Sequence, residues 1–450
     1  MGAERTVADY SHITRKRQEP LHGSAVLTCM PPLIVLLACW ACSVLAEPDT
    51  RPYPATPSIK GLQIQMVDDA LALGVHHAGI NVNLPALLSA EPKPGQPTLT
   101  VDGFTFSFNE AYAKSLDRTI KGLSDKGIVV NLILISYRTK NARLREIAIH
   151  PQASDTEGTV MAANTVTPEG RACYKAVTEF IAARWSGKDN AHGRAWGWII
   201  SNEVNSHWQW HQMGPATTEQ VAAQYEDQTR LAWSSLRKHS TNARVYISLE
   251  HHWTAKGNAS PTKACAGREL LETFAKKAKE RGDFDWHLAH HPYPANLFNP
   301  RTWQDKVTFD DQTNKITFRN LEVLTRKLAT PELLHQGKPR RLSFTEQGFN
   351  VGKAPNAEEL QAAGYAYAWE KVQRLPGIDA FIYHRQVDHS LEGGLKLGLW
   401  ENKPGSIADP ARQRPIWFLF KAAGTPEWTT TAAPYLKTCE LKSWDEVMGK

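Results

Sequence analysis

The chain has 450 residues, of which 42% are hydrophobic and 22% charged, a balance typical of globular rather than disordered proteins. Its net charge of +6 is spread along the sequence instead of gathered into a basic tract, which argues against a nucleic-acid partner. The length admits two ordinary domains or one large α/β barrel.

Residues 1–46 read as an export leader. Arg15-Lys16-Arg17 precedes an apolar stretch from Ala25 to Leu45, and Val44-Leu45-Ala46 offers a small-residue cleavage site. Two other readings stay open. The stretch approaches the length of a membrane anchor, and Leu36-Leu37-Ala38-Cys39 resembles a lipoprotein acylation site. The expected location is secreted or periplasmic, with a membrane as partner only if the chain is lipid-anchored. Cys29, Cys39 and Cys42 lie in this leader, so Cys173, Cys265 and Cys439 permit at most one disulfide in the mature chain.

A Pro-rich connector over residues 47–57 leads into a single domain over 58–450. There, apolar β-branched runs alternate with helical periodicity. Strands are predicted at Ile59–Ile64, Val75–Val82, Ile128–Ile135, Trp196–Ser201, Arg244–Leu249, Trp286–His290, Arg341–Thr345 and Ile378–Tyr383. Between them, Cys173, Ala176, Val177, Phe180, Ile181 and Trp185 form one helical stripe, with Thr167-Pro168 as its cap. Val221, Tyr225, Ala232, Trp233 and Leu236 form another, and Leu360, Ala363, Tyr367, Ala368, Val372 and Leu375 a third. Strand–helix repeated eight times predicts a closed (β/α)8 barrel. A doubly wound sheet is disfavoured, because no Gly-rich phosphate loop follows the first strand. Hairpin insertions are expected on the catalytic-face loops at Thr98–Phe106, around Asp102-Gly103, and at Val307–Phe318.

In such a barrel the chemistry sits at strand C-termini. The fourth strand runs into Asn202-Glu203 and the seventh into Glu346, so two carboxyls converge over the mouth. A pair of that kind can cut a glycosidic bond, with one group protonated as acid and the other ionised as nucleophile. Glu203 is assigned as acid/base and Glu346 as nucleophile, without a cofactor or a metal. Trp208 and Trp210 are candidate sugar platforms, Tyr293 a donor to Glu346, and Asn81 and Asn83 binders of hydroxyls or loop caps.

The Asn202-Glu203 pair and Glu346 resemble the signature of clan A glycoside hydrolases. The segment from about Ile59 to Ala422 also resembles an uncharacterised bacterial family of secreted barrel proteins related to that clan. The resemblance implies a retaining mechanism, a carbohydrate substrate, and a hydrogen bond from Asn202 to the sugar 2-hydroxyl. His291-Pro292-Tyr293 is similar to the strand-six motif that steadies the nucleophile. At strand eight, where many relatives carry Trp, this chain has Tyr383-His384-Arg385, and Tyr383 is the expected substrate contact.

Histidines at 76, 77, 251, 252, 287, 290 and 291 keep a metal-dependent barrel hydrolase open as an alternative, although no His-Glu-x-x-His helix is present. His251 and His291 are otherwise candidate contacts to substrate hydroxyls. A barrel that binds glycan without cleaving it is the other alternative.

Overall fold

All eight expected strands form, with ends that differ by a residue or two, and they close on themselves. The computed structural model describes residues 47–448, so the predicted leader lies outside the described residues. The strands are β1 (Lys60–Gln63), β2 (His77–Asn83), β3 (Val129–Tyr137), β4 (Ala195–Ile200), β5 (Arg244–Glu250), β6 (Trp286–His291), β7 (Leu342–Phe344) and β8 (Ile378–Tyr383). Each pairs in parallel with the next, and β8 returns to β1 with Phe381 opposite Lys60. Closure leaves no free barrel edge.

Eight helices cover the strands: α1 (Val67–Ala72), α2 (Glu110–Ser124), α3 (Pro168–Trp185), α4 (Thr218–Arg237), α5 (Gly267–Glu280), α6 (Glu322–Leu328), α7 (Ala357–Gln373) and α8 (Pro415–Ala422). The predicted stripes bury, save Trp233, which is half-buried. In α3 the Thr167 hydroxyl accepts from Gly170 N while Pro168 occupies the first turn, where its missing N–H costs nothing. Thr217 and Gln220 form a reciprocal capping box at the start of α4.

The pleat separates two packing layers. Leu132, Leu134, Trp198 and Ile200 join the layer against the helices, whereas Ile133, Ile135, Ile199, Tyr246 and Ala289 pack together inside the barrel. At the strand N-termini Asp379 accepts from Tyr246 Oη at 2.6 Å and from Arg341 Nε at 2.7 Å, and Arg244 pairs with it at 2.6 Å. The connector docks at this same end. Asp49 N donates to His239 O at 2.7 Å, its buried carboxylate pairs with Arg194 and Arg51, and Tyr53 packs on Trp196. No helix among the described residues is long and apolar enough to cross a membrane.

Of the two expected hairpins, the first forms. Thr98–Val101 pairs with Phe104–Phe108 through Asp102 and Gly103, both at positive φ, as a two-residue turn of the matching twist demands. It does not shape the cleft, because it leans outward on α3: Phe108 stacks on Phe180 at 4.1 Å, and Lys175 pairs with Asp102 at 2.6 Å. The second does not form. Asn320 Nδ2 donates to Thr308 O, Thr313 Oγ1 and Lys315 O, closing the segment as a loop, and Lys315 bridges His252 instead. Cys173, Cys265 and Cys439 are all buried and free.

Candidate active site

The top of the barrel opens into a cleft of about 860 Å³. Glu203 and Glu346 both line it. Glu203 follows β4 through a turn in which Ser201 (φ 62°) and Glu203 (φ 41°) adopt the left-handed region. Such a backbone costs roughly 1–3 kcal/mol per non-glycine residue and persists only where its surroundings hold it. They do so here. Ser201 Oγ lies 2.6 Å from His211 Nδ1, Glu203 N donates to Ser248 Oγ at 3.0 Å, and the Tyr225 hydroxyl ties Ser248 N to Ile200 O.

Glu346 follows β7. Tyr293 donates its hydroxyl to Glu346 Oε1 at 3.1 Å, and Gln63 Nε2 donates to Oε2 at 3.3 Å. Oxygens of Glu203 and Glu346 lie within 4.8 Å of one another, and so does a ring nitrogen of His291. His291 Nδ1 is 2.9 Å from Glu203 Oε1, and Nε2 is 3.1 Å from Thr345 Oγ1.

The two carboxyls are driven apart electrostatically. Burial pushes Glu203 up to about 7, helped by the negative charges of Glu346 and Glu250 and only partly opposed by His291. Burial acts on Glu346 in the same direction, but the rings of His384 and His291 and the Tyr293 hydroxyl outweigh it and hold that carboxyl below its usual range. The two carboxyls are thus biased in opposite directions.

The other expected contacts divide. Asn202, Asn81, Trp208, Trp210, His251 and Tyr293 line the cleft. Lys263 covers one face of Trp208 at 3.9 Å, and Trp210 packs on the inner-barrel cluster. Asn83 instead accepts from Tyr137 N at 3.1 Å and so fastens β2 to β3.

Two expectations fail. His291 is 2% exposed and does not line the cleft, and its ring nitrogens are taken by Glu203 and Thr345 rather than offered to a substrate hydroxyl. Tyr383 is fully buried. The pleat sends it outward with Phe381 against Tyr365 of α7, and its hydroxyl donates to Leu397 O at 2.8 Å. Its successors His384 and Arg385 reach the cleft in its place.

Among the lining residues that escaped sequence reasoning are Gln63, Glu250 and Glu392, while His384 was read only as part of the strand-eight motif. Glu250 ends β5 and so carries the same signal as Glu203. Its environment differs, since Asn205 and Ser206 donate to Oε1 while His252 Nδ1 lies 2.8 Å from Oε2. Burial opposes ionisation of Glu250, but His252 and His251 hold its carboxyl below the usual range. Glu250, His251 and His252 also offer ligand atoms within 4.8 Å of one another, a spacing a metal ion could use. Both His251 nitrogens are buried without a hydrogen-bond partner among the described residues, Nδ1 standing 3.8 Å from Glu250 Oε2, whereas His252 is hydrogen-bonded to Glu250.

The family described as a family of unknown function, DUF5722, matches residues 52–447. The chain belongs to that family. No curated protein is similar to this DUF5722 member in sequence. A family 39 glycoside hydrolase from Bacteroides cellulosilyticus WH2 resembles it with a TM-score of 0.52 at 13% identity, over 83% of this chain and 65% of that one. The β-glucosidase from Pyrococcus furiosus gives 0.50 at 14% identity, over 83% and 86%. Fpglu1 from Fervidobacterium pennivoraus gives 0.51 at 13% identity, over 80% and 82%. This chain thus spans less than two thirds of the length of the first of the three. Likeness at such identity shows the shared closed barrel.

Proposed function

We propose that this DUF5722 member is a glycoside hydrolase acting by double displacement, with retention at the anomeric carbon. The pair Glu203 and Glu346 carries the reading. Carboxyls about 5–5.5 Å apart belong to retaining enzymes, whereas inverting enzymes leave roughly 6.5–9.5 Å for a water. Here oxygens of the two lie within 4.8 Å, and their surroundings push Glu203 up to about 7 while holding Glu346 below its usual range, which supports one acid and one nucleophile.

In the first step the Glu346 carboxylate attacks the anomeric carbon. The bond to the leaving oxygen breaks as Glu203 gives that oxygen its proton. Glu203, now ionised, takes a proton from water. That water's oxygen displaces Glu346 from the sugar, which restores both groups and leaves one bond hydrolysed. Asn202 would meet the 2-hydroxyl, and Trp208 and Trp210 would carry sugar rings beyond the cut. The scheme requires no cofactor. An export leader over residues 1–46 would bring the enzyme to polysaccharide outside the cytoplasm.

The test is a panel of polysaccharides and oligosaccharides, with proton NMR of the first anomer formed. Retention is expected. An inverted product would overturn double displacement, and tight glycan binding without any cleavage would favour a binding barrel. Activity lost in chelator, but kept in Glu346→Gln, would favour a metal-dependent hydrolase.

A further inference from the structure

Gln63 touches two neighbours across the rim. Its Nε2 donates to Glu346 Oε2 at 3.3 Å, and its Oε1 lies 2.7 Å from His384 Nδ1. His384 Nε2 lies 2.5 Å from Glu392 Oε1, and Arg385 Nη1 donates to the other Glu392 oxygen at 3.3 Å. Glu346, Gln63, His384 and Glu392 thus form one continuous line of hydrogen bonds.

Donor and acceptor rules leave few proton arrangements along it. An ionised carboxylate only accepts, and so does an amide oxygen. An ionised Glu346 therefore needs the Gln63 nitrogen facing it, which turns the Gln63 oxygen toward His384. Nδ1 of His384 must then carry a hydrogen. Nε2 faces a second carboxylate and must carry one too. The reversed amide would set the Gln63 oxygen against Glu346, two acceptors in contact, which a neutral Glu346 alone tolerates. The charge on Glu346 and the charge on His384 go together.

We propose that His384 is an imidazolium clamped between Glu392 and Gln63, and that it acts as the positioning cation that keeps Glu346 ionised and aimed. The proposal rests on the reading of Glu346 as nucleophile. Burial opposes charge on Glu392, yet the His384 ring and Arg385 hold its carboxyl below the usual range, as a clamp anion requires. Other groups face this line. Arg385 and His389 stand on the β8 side, His291 and Tyr293 come from β6 and its loop, Glu203 from the end of β4, and Tyr137 from β3. Among the positive ones, Arg385 is pinned on Glu392 and His291 is hydrogen-bonded to Glu203, which leaves His384 as the cation joined to Glu346 through one amide.

Nitrogen-15 NMR of the full chain, assigned with His384→Asn, reads the ring directly. Both His384 nitrogens should appear protonated at pH 7.5, as the hydrogen bonds to Gln63 and Glu392 require. One unprotonated nitrogen in the resting enzyme would overturn the proposal. This arm needs no substrate, so its failure is separate from failure of the glycosidase reading. In Glu392→Gln the acid limb of kcat/KM should move up by about one pH unit. A uniform fall in kcat with the limb unmoved would mean a merely structural role and would sink the idea.

Discussion

Glu203 and His291 meet at 2.9 Å, and the imidazole is buried and does not line the cleft. The residue expected to touch sugar therefore bears on the proposed acid instead. Burial raises Glu203 and His291 opposes that rise, so His291→Gln should let Glu203 climb further above 7. The basic limb of kcat/KM should then move up by about one pH unit. A downward move would contradict this account.

Under the proposed double displacement, the pH profile of the unaltered protein should be bell-shaped. Glu203 must be protonated to donate, so kcat/KM falls as pH rises through about 7. Glu346 must be ionised to attack, so activity falls only below the usual carboxylate range, where its lowered group titrates. An acid limb at or above the ordinary glutamate range would count against the nucleophile assignment.

The same raised group makes the fold sensitive to pH. Folded Glu203 binds its proton more tightly than unfolded Glu203, so its contribution is present below the unfolded value of 4.5 and lost as pH rises through about 7. Glu203→Gln removes a buried charge at pH 8 and should raise Tm there by several degrees, on the order of 3 kcal/mol at most. At pH 4 the two proteins should melt alike. Equal gains at both pH values would show that the carboxyl is not the cause.

Glu346→Ala should abolish turnover on every substrate. Glu203→Ala should lose about 10²–10⁴-fold on unactivated glycosides, the usual worth of a positioned acid, and far less on leaving groups that need no proton. Steady-state kinetics on paired substrates checks this, and equal losses on both would reverse or void the two roles.

Tyr293→Phe deletes the hydroxyl bonded to Glu346 at 3.1 Å without opening a cavity. A hydrogen bond to a charged group contributes about 1.5–3 kcal/mol, so kcat/KM should drop roughly 10- to 150-fold. The acid limb should rise with it. No change in either would place Tyr293 outside the reaction.

Far from the cleft, Asp49→Ala strips a buried partner from Arg194, whose ring neighbour Trp196 cannot replace it. Breaking such a pair costs about 3–5 kcal/mol, so urea unfolding should shift to a lower midpoint while kcat is kept. An unchanged midpoint would mean that the connector hangs loose.

The barrel was legible because its signal is local. Each strand is a short β-branched run, each helix a stripe of period 3.6, and the cap at Thr167-Pro168 spans four residues. The Asp102-Gly103 turn was legible for the same reason. The Val307–Phe318 segment misled, because alternation there mimics a hairpin while Asn320, beyond the expected turn, closes it through its side chain. Tyr383 misled through the pleat, since one step along β8 separates the helix layer from the cleft.

Sequence alone determined eight strands, their helices and the glutamates at the ends of three of them, because hydrophobic periodicity and the boundary of an apolar run are properties of neighbours along the chain. It could not separate Glu250 from Glu203, nor join Gln63 to His384 across 321 positions. Protonation depends on what surrounds a group after closure: how much water is gone, and which charges the other strands bring within a few ångströms. Only the closed barrel sets those distances, and with them which carboxyl keeps its proton.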